Sequence, residues 1–439
     1  MTSPRRRSNV NVGRAALFSV VVVGLTIGML TVAGTRPLGI GRLVENPSRV
    51  QLNQRTFSCG GGIAGAEVRS GNLSTGLAPT QVVPTAPPKP VTVVANRPIA
   101  PGAFAGQQAI TKRSLAWLPC PEPAARWWFV AAGGASITHD TVLTISNPRA
   151  GVATFDVDVY GPGGLVDSPN LRNLQLPAGG STELTLSRYA PSIGDLAVSI
   201  TATRGLVAAS AADRFSPGIV SKAALEWLPP QLLPARVINL TGMAAQRGSS
   251  TLLVVNPTAV TTIVKVAVIG SSGTFTPAAL SEFIVGPQSV KSISLASVID
   301  GTALALRITS QHPITATVRS IKGGDSSFAT GVEVLRGSTS FGVPDGAAQL
   351  TFSSVRSGTT LHVVAFDAHG TRLIESAVKV AAQTTTSLVL PAGTKYVSLV
   401  ADRPEVIVGF SVVGTHGTAT AGVSSSIRSV QLPTIRPGW

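Results

Sequence analysis

Short alternating apolar runs, each bounded by Gly, Pro, Asn or Ser, recur along the chain, and two of them repeat at long range. Residues 141–148 read TVLTISNP and residues 250–257 read STLLVVNP, which sets Asn147 and Asn256 109 residues apart. The same offset carries LPAGGSTELTL at 176–186 onto VGPQSVKSISL at 285–295. Period-two alternation with turn residues at both ends predicts half-buried strands. A spacing this long is that of a whole sandwich domain, well above the period of a small solenoid unit. In FDVDV, Phe155, Val157 and Val159 share one face, and Asp156 and Asp158 share the other. Val264, Val266 and Val268 repeat the inward set, with Lys265 outward. A divergent third copy aligns LHVVAFDAHG at 361–370 with VKVAVIGSSG at 264–273 and lacks the Asn-Pro step. A terminal repeat departs from pattern where one face has no neighbour.

This pattern predicts an all-β chain of tandem immunoglobulin-like β-sandwich modules: 114–216 (module 1), 217–325 (module 2) and a divergent 326–439 (module 3). Residues 35–113 read as a Pro/Gly-rich basic connector, with 81–101 (QVVPTAPPKPVTVVANRPIAP) extended or polyproline-like. The 439 residues carry 45 Gly and 31 Pro, yet 44% are hydrophobic, enough for packed cores.

Residues 15–34 (AALFSVVVVGLTIGMLTVAG) hold no charge. Twenty residues of helix span roughly 30 Å, the thickness of a bilayer's hydrocarbon core. The stretch reads as one N-terminal transmembrane helix, with a cleaved signal peptide as the alternative. Arg5, Arg6, Arg7 and Arg14 make residues 1–14 a basic cytoplasmic tail, which sends the rest of the chain outside. Net charge is +15, and ten basic against three acidic side chains in 35–126 place much of the excess beside the membrane. Solvation explains that excess, and attraction to anionic headgroups or wall polymers is the functional reading. The basic residues form no dense run or helical stripe, so nucleic acid is not an expected partner.

Cys59 and Cys120 are the two cysteines, and in an exported chain they predict one disulfide. Trp117-Leu118-Pro119-Cys120 recurs as Trp227-Leu228-Pro229-Pro230. The second copy lacks the thiol, so the bond is expected to pin the preceding arm onto module 1. Trp127 and Trp128 open module 1, and residues 237–239 replace the aromatic run in module 2. Exposed, the two rings would stack on sugars; buried, they fill a core.

No catalytic or cofactor signature appears. His139, His312, His362, His369 and His416 match no metal spacing, and no G-x-S-x-G elbow occurs. GGGIAG at 60–65 fits a dinucleotide-loop pattern by letter alone, since a cysteine and no buried strand precedes it. Asp156 and Asp158 read as a solvated face, with too few oxygen ligands nearby for calcium. No cofactor and no metal are expected.

The segments WWFVAAGG, TVLTISNP, VDVYGPGG, LPAGGSTELTL and LAVSITA, with the Cys-Pro step before Trp127, together resemble an actinobacterial family of unknown function. It is the domain of unknown function 5719 family, whose members are exported or membrane-anchored proteins with tandem β-sandwich repeats. The resemblance covers most of 114–413 and supplies no catalytic residues. It implies a cell-envelope role, because members tend to be encoded near an envelope glycosyltransferase. The expected function is therefore a non-enzymatic, membrane-anchored envelope protein binding a protein partner or envelope glycan. The glycosyltransferase machinery and cell-wall glycan are the expected partners. The alternative is a glycan-processing enzyme with a site between modules, which requires ionisable groups with shifted pKa values to converge there.

Overall fold

The computed structural model describes residues 49–72, 81–84, 90–96, 102–135, 137–216, 223–243, 249–298, 302–426 and 429–431. These are all-β, with antiparallel sheets and three short 3-10 turns. The tail at 1–14 and the membrane segment expected at 15–34 lie outside the described residues. Among the described residues no helix is long and apolar enough to cross a membrane. The chain divides into two compact units, Met1–Val50 with Val430–Trp439, and Gln51–Ser429. The strand Arg49–Gln51 pairs with Ser429–Gln431.

In the second unit the alternating pattern does what period two requires. Along Ala153–Gly161, Phe155, Val157 and Val159 are fully buried, while Asp156 and Asp158 are half-buried on the opposite face. One sheet of module 1 runs Ser181–Thr185, His139–Ser146, Ala208–Phe215, Ala224–Leu228. The other runs Gly164–Val166, Ala153–Gly161, Leu196–Arg204, Arg126–Ala132. Leu143 and Ile145 from the first meet Phe129, Phe155 and Val198 from the second in one core. Module 2 follows the same path with one change. Leu196–Arg204 and Ala208–Phe215, broken in module 1 at Gly205, have as their counterpart a single 18-residue strand, Ala305–Lys322, that crosses between both sheets. In module 3 one sheet holds Ser338–Gly342, Tyr396–Ala401, Thr359–Phe366 and Arg372–Val380. The facing sheet holds Thr385–Val389, Ala347–Ser354, Val406–Val413 and Thr418–Val423.

The Asn-Pro steps are corner clamps. The Asn147 amide donates to the carbonyls of Gly151 (2.7 Å), Leu176 (3.2 Å) and Pro177 (3.1 Å), and its oxygen accepts from Arg149 N–H (3.1 Å). Asn256 repeats the set at the same offset: Val260 (2.7 Å), Val285 (3.4 Å), Gly286 (2.8 Å) and Thr258 N–H (3.0 Å). One buried side chain thus satisfies the backbone where a strand leaves the sheet, as burial demands.

Strand pairing moves the module boundaries. Ala224–Leu228 pairs with Ala208–Phe215, so the Trp-Leu-Pro strand closes module 1 and does not open module 2. Its counterpart Leu115–Pro119 pairs with Ala103–Ile110. Asp325–Thr330 and Thr418–Val423 close modules 2 and 3 in the same way. The modules therefore run 126–228, 235–330 and 338–423, and a further one occupies 51–120. That N-terminal module is the segment expected to be a connector. Gln54–Cys59 pairs with Val91–Asn96, and Gln81–Pro84, Glu67–Asn72, Ala103–Ile110 and Leu115–Pro119 form a second sheet. Pro84 and Pro119 are the last residues of their strands and Pro90 stands just before one, positions a proline tolerates.

Cys59 and Cys120 are bonded, with Cα atoms 4.7 Å apart. Both lie in the N-terminal module's own core with Phe57, Val68 and Ala105. The bond therefore closes that module internally; it does not pin a loose arm to module 1. Replacing both cysteines by alanine is expected to cost about 4 kcal/mol in the chain-entropy model for a separation of 61 residues. The check is the urea midpoint against the oxidised parent.

The four closing strands form a ring. Leu115–Pro119 packs on Ala224–Leu228, that on Asp325–Thr330, that on Thr418–Val423, and the last returns to Leu115–Pro119. Each of the first three sends an aromatic side chain into a neighbouring module. Trp117 joins the core of module 3 with Leu350 and Phe410. Trp227 packs on Ile63, Ala109 and Leu118, its indole donating to Gly61 O (3.1 Å). Phe328 enters the core of module 1. Module 3 thus has neighbours on both sides, and an unpartnered face does not explain its divergence. Where modules 2 and 3 meet, backbones touch: a Cβ at Gly409 would lie 2.9 Å from the Gly242 Cα and nitrogen. Gly409→Val is expected to cost about 2–3 kcal/mol through overpacking against backbone that cannot give, seen as a lowered Tm.

Candidate functional site

Trp127 and Trp128, which the sequence leaves as either core or ligand-stacking aromatics, are 6% and 8% exposed. Trp127 lies parallel to Phe129, centroids 6.5 Å apart, and its indole donates to Val207 O (2.9 Å). Trp128 packs on Tyr160. Both sit in a strand whose two faces are covered, so they fill a core. Asp156 accepts from Asn173 N–H (2.7 Å) and Asp158 pairs with Arg172 (2.5 Å). Each outward carboxylate therefore has its own local partner.

Two polar clusters escaped the sequence reading. Thr141 stands opposite Asp213 in the strand register, and its hydroxyl donates to the carboxylate (2.6 Å), whose other oxygen meets His139 Nε2 (3.1 Å). Gly133 N–H donates to the Thr141 hydroxyl (2.8 Å). Burial opposes charge on His139, but the Asp213 carboxylate outweighs it and raises the imidazole above its ordinary value. Because the threonine proton points at Asp213 and not at the histidine, the histidine does not activate the hydroxyl as a nucleophile. The cluster fastens two strands. Asp213 lies more than 70 positions from His139 and Thr141, and only the register brings them together.

The second cluster is inside the ring. Glu226 and Asp325 are 3% and 5% exposed. Glu226 accepts from the N–H groups of Trp117 (3.2 Å) and Trp227 (2.8 Å). Asp325 accepts from Thr418 N–H (2.7 Å) and from the N–H groups of Ser326 and Leu115. Leu115 and Trp117 are two apart on one strand, so both carboxyls stand along the same strand edge within about 7 Å. Burial pushes Glu226 well above the carboxylate range, and the neighbouring Asp325 adds to the shift. Burial raises Asp325 to about 7 against its three N–H donors. Glu226 Oε2 and Asp325 Oδ1 have no hydrogen-bond partner among the described residues. A pair of shifted carboxyls between modules is what a hydrolase would require. Both, however, are held by main-chain donors and sealed from solvent.

The opening with the chemistry of a binding site lies between the N-terminal module and module 3. It is a cleft of about 320 Å³ with Phe104, Trp117, Phe341 and Phe410 in its walls and Thr339, Ser340 and Ser426 among its polar lining. Phe341 stacks on Phe410, centroids 5.5 Å apart. At one side Arg55 lies 4.7 Å over Phe57 and donates to Glu122 (2.8 Å) and Ala103 O (2.6 Å). Gly106 leaves room for Trp117, since a Cβ there would sit 2.5 Å from its ring. Elsewhere on the same module boundary, Arg69 grips both oxygens of Asp345 (3.0 Å each), with Gln108 (3.0 Å) and Lys395 on the same carboxylate. Burial pushes Asp345 up, but these bonds outweigh it and hold the carboxyl well below its usual range. Among the described residues no group of three or more His, Cys, Asp or Glu side chains is placed to hold a metal ion.

No curated protein matches the chain. Among solved structures, an anti-sigma factor domain-containing protein aligns at 8% identity over 81% of this chain and 95% of its own, with a TM-score of 0.15. A second, from Clostridium clariflavum, aligns at 11% identity over 82% and 97%, with a TM-score of 0.12. A glycosyl hydrolase family 2 member from Bacteroides cellulosilyticus DSM 14838 aligns at 11% identity over 66% and 37%, also at 0.12. Values this low do not establish a shared fold. A family model does match, over residues 78–391, and the chain belongs to that family of unknown function, DUF5719.

Proposed function

We propose that this chain is a non-enzymatic cell-envelope protein, anchored by residues 15–34 with its N-terminus cytoplasmic and the modules outside. On this reading each pair of facing sheets is an immunoglobulin-like β-sandwich, and the modules bind a protein partner or envelope glycan, accessory to cell-wall polysaccharide assembly. The observation that carries the reading is the cleft between the N-terminal module and module 3. The half-buried Phe341 ring, with the Ser340 and Ser426 hydroxyls beside it and the buried Phe104, Trp117 and Phe410 rings behind it, matches a sugar, whose ring presents an apolar face and a polar edge. The ring of closing strands supports it by holding both walls on rigid elements. The enzyme alternative rests on Glu226 and Asp325, and their main-chain bonds and burial favour a structural part for them.

The test is capture from envelope membranes with the purified chain, scored separately for glycan and protein, beside a Ser340→Trp variant that fills the cleft. Capture of glycan by the parent and its loss by at least about tenfold (1.4 kcal/mol) in the variant is the expected result. Recovery of neither class, or equal recovery by the variant, would remove the support for this site.

A further inference from the structure

We propose that the outer face of module 2, where module 3 covers its edge, binds a phosphate group carried on a small hydroxylated ligand such as a sugar phosphate. This site is separate from the aromatic cleft and does not depend on it. It follows from register. Val264, Val266 and Val268 point into the core, so Lys265 and Ala267 point out. Lys265 stands opposite Thr309 and Ala267 opposite Arg307 on the neighbouring strand. The two cations are therefore diagonal neighbours, about 7–8 Å apart at the backbone. On the other side of Thr262–Gly270, Ile269 stands opposite Thr274, which brings Thr274 and Thr276 alongside. Module 3 supplies the far wall through Val355 and Gln383. It is fixed by Thr274 donating to Gln383 O (3.1 Å) and Thr385 donating to Ile269 O (2.6 Å). These residues enclose a cleft of about 380 Å³.

Its charge is incompletely balanced. Among the described residues no carboxylate pairs with Arg307, whose guanidinium reaches only the carbonyl of Val355 at 3.5 Å. Lys265 meets Glu282 at 3.5 Å with both side chains more than half exposed. Module 1 shows what the same outward positions look like when balanced. Asp156 and Asp158 occupy the places of Lys265 and Ala267, and Asp158 is bonded to Arg172 at 2.5 Å. Module 2 has a methyl group where that second carboxylate stood, Ser281 where its partner Arg172 stood, and Arg307 where module 1 has Ser199, so this face gains space and exchanges acidic residues for basic ones. A guanidinium fork and an ammonium are the donor set that takes a tetrahedral oxyanion. The cleft exceeds one anion in size, and the hydroxyl oxygens of Thr274 and Ser281, whose own protons go to Gln383 O and Ala278 O, can accept from a hydroxylated body.

The experiment is calorimetric titration of the purified full chain with glucose 1-phosphate, inorganic phosphate and glucose. Both phosphates are expected to bind saturably, more weakly as NaCl is raised, and glucose is not. Arg307→Gln should weaken glucose 1-phosphate by at least about tenfold. Ala267→Asp, which restores the module 1 residue, should abolish binding without lowering Tm. Lys379→Gln, a charge removed elsewhere, and Ser340→Trp, which blocks the aromatic cleft, should both bind like the parent. The proposal fails if no phosphate binds, if Arg307→Gln and Ala267→Asp bind like the parent, or if only phosphatidylglycerol vesicles are bound.

Discussion

Asn256→Ala is expected to destabilise the protein by about 3–4 kcal/mol, among the largest effects available to a polar side chain. The side chain is fully buried and donates to three carbonyls of two different turns while accepting from Thr258 N–H. Truncation strips those groups of partners where water has no ready access, and each orphaned backbone group costs about 1–3 kcal/mol. Asn256→Asp separates packing from bonding. It keeps the shape and the acceptor for Thr258, but sets a carboxylate oxygen against three carbonyl oxygens. Its loss should equal or exceed that of alanine at neutral pH and shrink in acid as the carboxyl gains a proton. Asn147→Ala should match Asn256→Ala within about 1 kcal/mol, since the two sites share three carbonyls and one main-chain N–H and differ in the Thr258 hydroxyl that also donates to Asn256. Urea unfolding of the four proteins decides it. Losses near zero, or a wide gap between the two alanine variants, would mean the clamp is not what holds these corners.

That clamp also marks where sequence reasoning succeeds. A period of two specifies faces, so the burial of Phe155, Val157 and Val159 follows from their spacing. A repeat of 109 residues specifies that modules exist. It cannot specify phase, because moving the first strand of every module to its end leaves the period unchanged. Spacing alone therefore places the Trp-Leu-Pro strand at the front of a module, and pairing puts it at the back. The N-terminal module is hidden for a related reason: its prolines suggest extended coil, although Pro84 and Pro119 end strands.

The continuous apolar run in STLLVVNP also has a cause that lies outside its own module. Leu252 and Val254 face the core of module 2, and Leu253 and Val255 face that of module 1. The corresponding outward residues of module 1, Thr144 and Ser146, stay polar, and Ser146 meets the Ser58 hydroxyl of the N-terminal module (3.2 Å). Contacts between modules carry no period. For that reason the aromatic cleft, the Lys265–Arg307 face and the two carboxyls within the ring could not be seen from spacing. Glu226 illustrates the difficulty, since its counterpart in the first Trp-Leu-Pro strand is Ala116 and no pattern sets it apart.

Those carboxyls should make the fold weaken as pH rises, the reverse of ordinary acid denaturation. The folded Asp325 carboxyl titrates near 7, against a value of 3.8 for the free side chain. Between those values the folded chain holds a proton the unfolded chain has released, so stability falls with pH across that window and levels off above it. A shift of about three units corresponds to roughly 4 kcal/mol at most, at 1.36 kcal/mol per unit. Glu226, also raised, contributes with the same sign. His139 adds a loss above about pH 6.5, as its raised imidazole gives up the proton that Asp213 favours. Asp345 works oppositely but elsewhere: its lowered carboxyl loses stability only as pH falls below the unfolded value, outside the window. Urea unfolding at pH 4.5, 6 and 8 should therefore show a steady loss in the parent. Asp325→Asn keeps an oxygen for the Thr418 and Leu115 N–H groups and cannot ionise, so it should remove the Asp325 share of the slope, leave those of Glu226 and His139, and exceed the parent in stability at pH 8. A parent equally or more stable at pH 8 than at pH 4.5 would show that neither carboxyl holds its proton inside the ring.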